Sequence, residues 1–286
     1  MEILNYFISF FKSEKKIIYI DELDDLHQLC SYLKNESLLG IDTEFDWRNT
    51  YFPIPSLVQI ASLDKIFLID TLKLKNLEPL KKLLENKNKL LIFHSVRSDT
   101  TVLSKSLNIH IKNAFDIQVG EKILSNEGIK NYGNLVYKYI GKNLKKNETR
   151  SNWLKRPLTE SQIKYAAEDV DFLIKIYKKQ TKLLRKRNLL SKVFEESNKE
   201  VKLGNLSLKE LRIRRYMNKF SKREKEIFLW REDIAKKSNV PTSYIFKDKY
   251  ISQLSKIDKK NDNLKKKLIS ILGDSDLYEK FKLNFL

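Results

Sequence analysis

Asp42-Thr43-Glu44 closes an apolar run, Leu38-Leu39-Gly40-Ile41, which follows the polar Lys34-Asn35-Glu36-Ser37. The run reads as a short buried strand. Strand side chains alternate between faces, so Asp42 and Glu44 point the same way and Thr43 points away. Neighbouring carboxylates repel and raise each other's pKa. A divalent cation relieves that repulsion, because hard oxygen ligands suit Mg²⁺ or Mn²⁺. Paired acids alone are more often a solvated strand end, so metal chemistry requires further acids downstream.

Lys89-Leu90-Leu91-Ile92-Phe93-His94 reads as another buried strand, and Ser95-Val96-Arg97-Ser98-Asp99 opens a helix after it. Thr159 and Gln162 form a T-x-x-Q capping box. Tyr165-Ala166-Ala167-Glu168-Asp169 therefore lies near the start of a helix. Tyr165 and Asp169 share one face of it. Asp171 lies about 200° round the axis from Asp169 and should point elsewhere, and Glu168 is one residue off the face. The expected constellation is Asp42, Glu44, Asp99 and Asp169, with Tyr165 beside them.

In this order, Asp-x-Glu, Asp and Tyr-x-x-x-Asp, the acids resemble the signature of the DEDDy 3′–5′ exonucleases. The flanking residues are similar to one family among them, ribonuclease D. They are Arg48-Asn49-Thr50-Tyr51-Phe52-Pro53, Leu57-Val58-Gln59-Ile60, and the block from Glu148-Thr149-Arg150 through Trp153-Leu154-Lys155-Arg156-Pro157 to Thr159. The resemblance covers roughly residues 16–190. It implies a ribonuclease H-like mixed-sheet α/β exonuclease domain with the Asp42 strand central. It also implies two divalent metal ions, Mg²⁺ or Mn²⁺, between the carboxylates. Asp42 would bridge both ions, and Glu44 and Asp169 would hold the ion that carries the nucleophilic water. Asp99 would support the second ion, directly or through water, and Tyr165 would orient the attacking water. The implied partner is RNA with a free 3′ end, tRNA precursors above all, shortened to nucleoside 5′-monophosphates. The alternatives are a DNA-directed 3′–5′ exonuclease and a non-catalytic nucleic-acid binder. The latter would have lost one or more of the acids, and all are present; no motif reads the 2′-hydroxyl.

At 286 residues the chain has room for one large domain and a small one. Its single cysteine, Cys30, excludes a disulfide framework or zinc site and suits a reducing, cytoplasmic location. Residues 1–15 are expected to be an N-terminal arm. Its first eleven residues, Met1 to Phe11, are apolar but carry Glu2 and Asn5, lack a basic leader and are too short to span a bilayer; no other stretch could cross a membrane. The net charge of +19 predicts attraction to a polyanion, although a Lys-rich, Asn- and Ile-rich composition inflates it.

Strands are expected at 17–20, 57–61, 66–69 and 113–116 besides those already named, with Asp21 capping a helix to about Lys34 and another helix over 77–85. That order suits a mixed sheet with helices on its faces. Residues 16–190 are the expected exonuclease domain and 191–221 a charged linker with helical pieces. Residues 222–286 form a small all-α unit that resembles an HRDC domain, a nucleic-acid-binding module, around Phe228-Leu229-Trp230-Arg231-Glu232-Asp233. Ribonuclease D usually has two such modules, and this chain has room for one; a monomer is expected.

Other residues have more than one reading. Arg97 either touches phosphate or balances Asp99. Lys142, Lys145, Lys146 and Arg150 form a basic loop that could guide the RNA backbone or simply be solvated. Phe45 and Tyr51 could stack on a terminal base or fill core. His94 and Trp153 read as packing residues, His110 as surface, and Asp116 as a helix cap.

Overall fold

Short apolar runs bounded by polar residues become the strands of one sheet, and amphipathic segments cover both its faces. The structure is a computed structural model that describes residues 15–125, 128, 130–144, 148–257 and 264–286. Of the expected N-terminal arm, only Lys15 is among them. The elements of the first unit are β1 (Lys16–Ile20), α1 (Leu23–Tyr32), β2 (Leu38–Asp46), β3 (Ile54–Ala61), β4 (Lys65–Asp70), α2 (Glu78–Leu84), β5 (Leu90–Phe93), α3 (Val96–Ser106), β6 (Ala114–Asp116), α4 (Ile117–Ser125), α5 (Tyr132–Ile140), α6 (Glu160–Asp171), α7 (Leu173–Lys186) and α8 (Leu190–Asn205). Among the described residues the sheet order is β1-β4-β3-β2-β5-β6. β3 runs antiparallel to β2 and β4, and every other pair is parallel. This is the expected mixed sheet with β2 inside it.

Alternation along the strands divides the interior into two cores. Leu39, Ile41, Val58, Ile60, Leu91 and Phe93 face one side, with Val96 and Leu103 of α3. Leu57, Ala61, Ile66, Leu68 and Ile92 face the other, with Ala166, Val170 and Leu173 of α6 and α7. All of β5 is buried, as a strand covered on both faces should be. Gly40 of β2 lies under the α6–α7 junction: a Cβ there would sit 3.1 Å from Leu173 Cβ and 3.2 Å from the Val170 carbonyl oxygen. The missing side chain lets α6 close on the strand that carries Asp42.

Several sequence expectations change. Helix α1 has Glu22 at its N-cap, and Asp21 instead takes the Lys73 ammonium at 2.6 Å. β3 begins at Ile54, because its first residues pair with Phe45 and Asp46 across a bulge that skips Ser56. The stretch expected to be a linker with helical pieces, 191–221, divides at residue 205: its first part is helix α8 of the first unit, and the remainder belongs to the second. Helix α8 buries Val193, Ser197, Val201 and Gly204 and packs on α3 and β6 of the first unit. Its charged face hid a three- and four-residue spacing of small and β-branched buried residues.

The second unit comprises Trp47–Phe52 and Leu206–Leu286. It contains α9 (Leu208–Ile213), α10 (Lys222–Ser238), α11 (Thr242–Ile245), α12 (Ile251–Ser255), α13 (Leu264–Leu272) and α14 (Ser275–Phe285). A Ser221/Glu224 capping box starts α10, and Asn239 at φ 48° ends it. Tyr51 is 1% exposed, and its hydroxyl donates to Glu232 at 2.9 Å. Arg212 also reaches Glu232, at 3.0 Å, and lies over the Tyr51 ring. The Asn239 side chain accepts from the Tyr51 and Phe52 amides, both at 3.2 Å. Tyr51 is therefore core of the helical unit and is not available to stack on a base. Among the described residues no helix is long and apolar enough to cross a membrane.

The packing of α8 gives a stability test. A Cβ on Gly204 would lie 2.8 Å from both the Arg97 carbonyl oxygen and Thr100 Cβ, so α8 and α3 would have to separate. Gly204→Ala is expected to cost about 1–3 kcal/mol of unfolding free energy in urea titrations. No cost would mean that α8 does not pack on α3.

Candidate active site

The register of β2 decides what its end can do. Its pairs with β5 stop at Gly40↔Ile92, whereas its antiparallel pairs with β3 continue through Asp42↔Gln59 and Glu44↔Leu57. Asp42 and Glu44 share the face covered by α6. Ligand-type oxygens of Asp42, Glu44 and Asp169 all lie within 4.8 Å of one another. Asp169 is brought there by α6, whose start is set by the expected capping box: the Gln162 amide donates to Thr159 Oγ1 at 3.2 Å, and the Thr159 amide donates to Gln162 Oε1 at 3.0 Å.

Asp99 arrives from the opposite face. Its carboxylate is 4% exposed and accepts from Thr43 Oγ1 at 2.7 Å. Thr43, which the alternation turned away from Asp42 and Glu44, is thus what anchors the remaining acid. The helix carrying Asp99 is capped from a distance. Asp116, at the end of β6, accepts from the Ser95 and Val96 amides at 3.1 and 2.9 Å and from Gln118 at 2.8 Å. This holds Ser95 at φ 69° and sets a carboxylate at the N-terminus of α3. Asp116 is a cap, as expected, but chiefly of the preceding helix.

Tyr165 lies one turn before Asp169 and lines a cleft of about 230 Å³ with Asp42, His94, Asn131, Tyr132, Thr149 and Asp169. The indole of Trp153 packs against its ring at a centroid distance of 6.0 Å. Arg156 ties this approach loop to the sheet. It grips the buried Asp70 carboxylate with two bonds, Nε–Oδ2 at 2.6 Å and an Nη2–Oδ1 bond at 2.9 Å. Asp70, Arg156 and Thr149 were not singled out in the sequence; the signal available was the block around Trp153.

Burial and mutual repulsion dominate the electrostatics. The Asp42 pKa is held well above the usual carboxylate range, by burial first and then by Asp99, Asp169 and Glu44. Burial, with Asp169 and Asp99, pushes Glu44 up to about 9. Asp99 is pushed up to about 7 by burial, against the Thr43 hydrogen bond and one shared with Asp42. The Tyr165 phenol is also raised, by burial and then by Asp169 and Glu44, with the Thr149 hydrogen bond opposing. All-oxygen, acidic donors that would otherwise hold protons suit a hard divalent cation. Gln59, paired with Asp42 across the strands, is fully buried with neither amide atom bonded in the structure.

The remaining candidates are not among the clustered acids, although His94 lines the same cleft. Arg97 pairs with Glu200 of α8 through Nε and Nη2, both at 2.5 Å. Arg150 is exposed in the loop before α6, and Lys145 and Lys146 lie outside the described residues. Lys142 bonds Glu168 at 3.2 Å. The imidazole of His94 meets the Lys130 carbonyl at 3.1 Å. Asp171 does point away from the cluster, but it is buried rather than solvated and pairs with Lys15 at 3.4 Å.

A 3′–5′ exonuclease family model matches residues 17–185, and an HRDC domain model matches residues 221–266. Ribonuclease D of Pseudomonas paraeruginosa is 30% identical over 270 residues, covering 88% of this chain and 68% of that protein. The chain belongs to the ribonuclease D family of 3′–5′ exonucleases. Ribonuclease D of Desulfotalea psychrophila is 31% identical over 256 residues, 83% of this chain and 66% of its own length. The chain thus spans about two thirds of the length of these ribonuclease D relatives. The crystal structure of Escherichia coli RNase D has the same fold, with a TM-score of 0.77 at 22% identity over 93% of this chain and 75% of that one.

The raised carboxylates give this ribonuclease D family member a signed pH dependence. Their folded pKa values exceed those of the unfolded chain, so without a cation the folded state holds more protons. That stability is full below about pH 4 and is lost as pH rises through about 7 for Asp99 and about 9 for Glu44. Chelated protein should melt at progressively lower temperature from about pH 5 to about pH 9, and Mn²⁺ should raise the melting temperature most at the alkaline end. A melting temperature in chelator that climbs over this range would contradict the assignment.

Proposed function

We propose that the chain is a divalent-cation-dependent 3′–5′ exoribonuclease that removes nucleoside 5′-monophosphates from RNA 3′ ends. The observation that carries this is the meeting of Asp42, Glu44 and Asp169 oxygens within 4.8 Å in a 3′–5′ exonuclease domain. RNA is favoured over DNA because the relatives are named ribonuclease D, and a Trypanosoma brucei RNase D of similar fold, with a TM-score of 0.60, was solved in complex with RNA U12. Among RNAs, 3′-extended tRNA precursors are the proposed substrate, and the cytoplasm the proposed location.

Asp42, Glu44 and Asp169 would hold the cations, two Mg²⁺ or Mn²⁺ in our reading, with Asp99 supporting the side of Asp42 next to α3. When bound, such ions stabilise the attacking and leaving oxygens of an in-line displacement at phosphorus. Water attacks the phosphorus of the last phosphodiester and gives up a proton, the bond from phosphorus to the 3′ oxygen breaks, and that oxygen takes up a proton, so the shortened strand ends in a 3′-hydroxyl and the released nucleotide carries the 5′-phosphate. The Tyr165 hydroxyl, one turn before Asp169 in the same cleft, would orient the attacking water, and activation of that water would fall to the cations. Thr149 supports that hydroxyl. Arg150, Lys145 and Lys146 are proposed to meet the RNA backbone; Arg97, already paired with Glu200, is a weaker candidate.

RNA labelled at its 5′ end should shorten to a ladder in Mg²⁺ or Mn²⁺ and stay whole in chelator, with 3′-extended tRNA cut faster than matched single-stranded DNA. A ladder formed in excess chelator would sink the cation-dependent reading. Asp42→Asn should lower turnover by several orders of magnitude while RNA binding largely persists. Asp171→Asn should instead act on stability, by removing the carboxylate charge beside the buried Lys15 ammonium, and lower the melting temperature. Equal losses of turnover in the two variants would refute the division of roles. Tyr165→Phe should reduce kcat roughly 10²- to 10³-fold with KM little changed. An unaltered kcat would assign that hydroxyl to packing.

A further inference from the structure

The Tyr132 hydroxyl sits inside the hydrogen-bond ladder of α6. It donates to the Glu168 carbonyl at 3.1 Å and accepts from the Phe172 amide at 3.3 Å. In an unbroken helix those two backbone groups would bond each other, residue i to i+4. Here α6 ends at Asp171, Phe172 adopts φ −99° and ψ −6°, and α7 starts at Leu173. A side chain inserted into the ladder is a physical cause of such a break. Asp169 lies between the two bridged groups in the chain.

We propose that Tyr132 is a positioning residue for the reaction: by wedging its hydroxyl between Glu168 and Phe172, it sets the last turn of α6 so that Asp169 meets Asp42 and Glu44. The inference rests on the cation-site reading above. Tyr132 is 8% exposed and lines the same cleft as Asp42, Tyr165 and Asp169. Its own place is fixed independently of α6. Asn131 caps α5 by accepting from the Asn134 amide at 3.0 Å, the His94 ring lies 5.6 Å from the tyrosine ring, and His94 and Gln118 both reach the Lys130 carbonyl at 3.1 Å. The turn has little slack. Lys15 donates to the Asp171 carbonyl at 2.9 Å, and Val170 and Leu173 press on Gly40 of β2. A change at the wedge must therefore reach Asp169.

Tyr132→Phe keeps the ring and removes the bridge. The Glu168 carbonyl then loses the hydroxyl that holds it away from the Phe172 amide, which keeps only its contact with the Val170 carbonyl, and the turn is free to shift toward the direct bond. Mn²⁺ affinity of the RNA-free protein, read from the paramagnetic resonance of free Mn²⁺, should fall about tenfold or more, as for other groups that orient a metal ligand. The kcat should fall in parallel, with KM for RNA nearly unchanged. Tyr139→Phe is the control. It removes another α5 hydroxyl, which donates to the buried Glu121 at 2.6 Å, and should lower the melting temperature while leaving Mn²⁺ affinity intact. Wild-type Mn²⁺ affinity and kcat in Y132F would overturn the inference, whatever its melting temperature. Wild-type protein that binds no Mn²⁺ would instead overturn the reading of the site. If Y132F does not fold, amide exchange of the wild type decides: Mg²⁺ should slow exchange of the Phe172 amide beyond its effect on the α5 amides. Equal slowing throughout would overturn the wedge.

Discussion

Carboxylates gathered in a protein interior lose their hydration and repel one another, and the architecture around Asp42 is built against that repulsion. The outward sign is that Asp42, Glu44 and Asp99 hold protons far more tightly than carboxylates in water do. No local preference brings Asp42 and Asp169 together across so long a stretch of chain. Apolar packing on both sheet faces does so. The strain is then relieved at the few points where a hydroxyl, an amide or a cation can meet the acids. Stability is given up at the place where affinity for a divalent ion is gained.

The acids are delivered by three elements, each anchored remotely. β2 holds Asp42 and Glu44 where its pairing with β5 has ended but its pairing with β3 has not. α3 holds Asp99, with its N-terminus fixed by Asp116 and its flank by Gly204 of α8. α6 holds Asp169, with its start fixed by a capping box and the Arg156–Asp70 clamp and its end by Tyr132 and Lys15. Groups that touch no substrate thereby control the distances on which the chemistry depends.

The strand that carries the site also leads directly into the second unit. Residues 47–52, immediately after β2, belong to the helical body, where Tyr51, Arg212, Glu232 and Asn239 form one connected polar and aromatic cluster. Arg212 and the Tyr51 hydroxyl both bond Glu232 Oε2, so the buried carboxylate has an ion-pair partner and a hydroxyl donor on that oxygen, while Oε1 is buried without a hydrogen bond. The segment is thus committed to a core of its own.

The sequence by itself determined the order of the strands along the chain, the shared face of Asp42 and Glu44, the shared helix face of Tyr165 and Asp169, and the capping box that starts α6. Each follows from a period of two or 3.6, or from a cap three residues long, and such rules act within a single element. The family was legible for the same reason, since its motifs are short and contiguous. Tertiary structure alone decided that Thr43 would hold Asp99, that Asp116 would cap the helix before it, and that Arg97 would turn to Glu200. It also drew α8 into the nuclease unit and Tyr51 into the helical one, and it placed the Tyr132 hydroxyl in the backbone of α6. Those partners are separated by tens to more than a hundred residues. Buried polar groups must find a partner somewhere, and which partner is available is settled only when the cores pack.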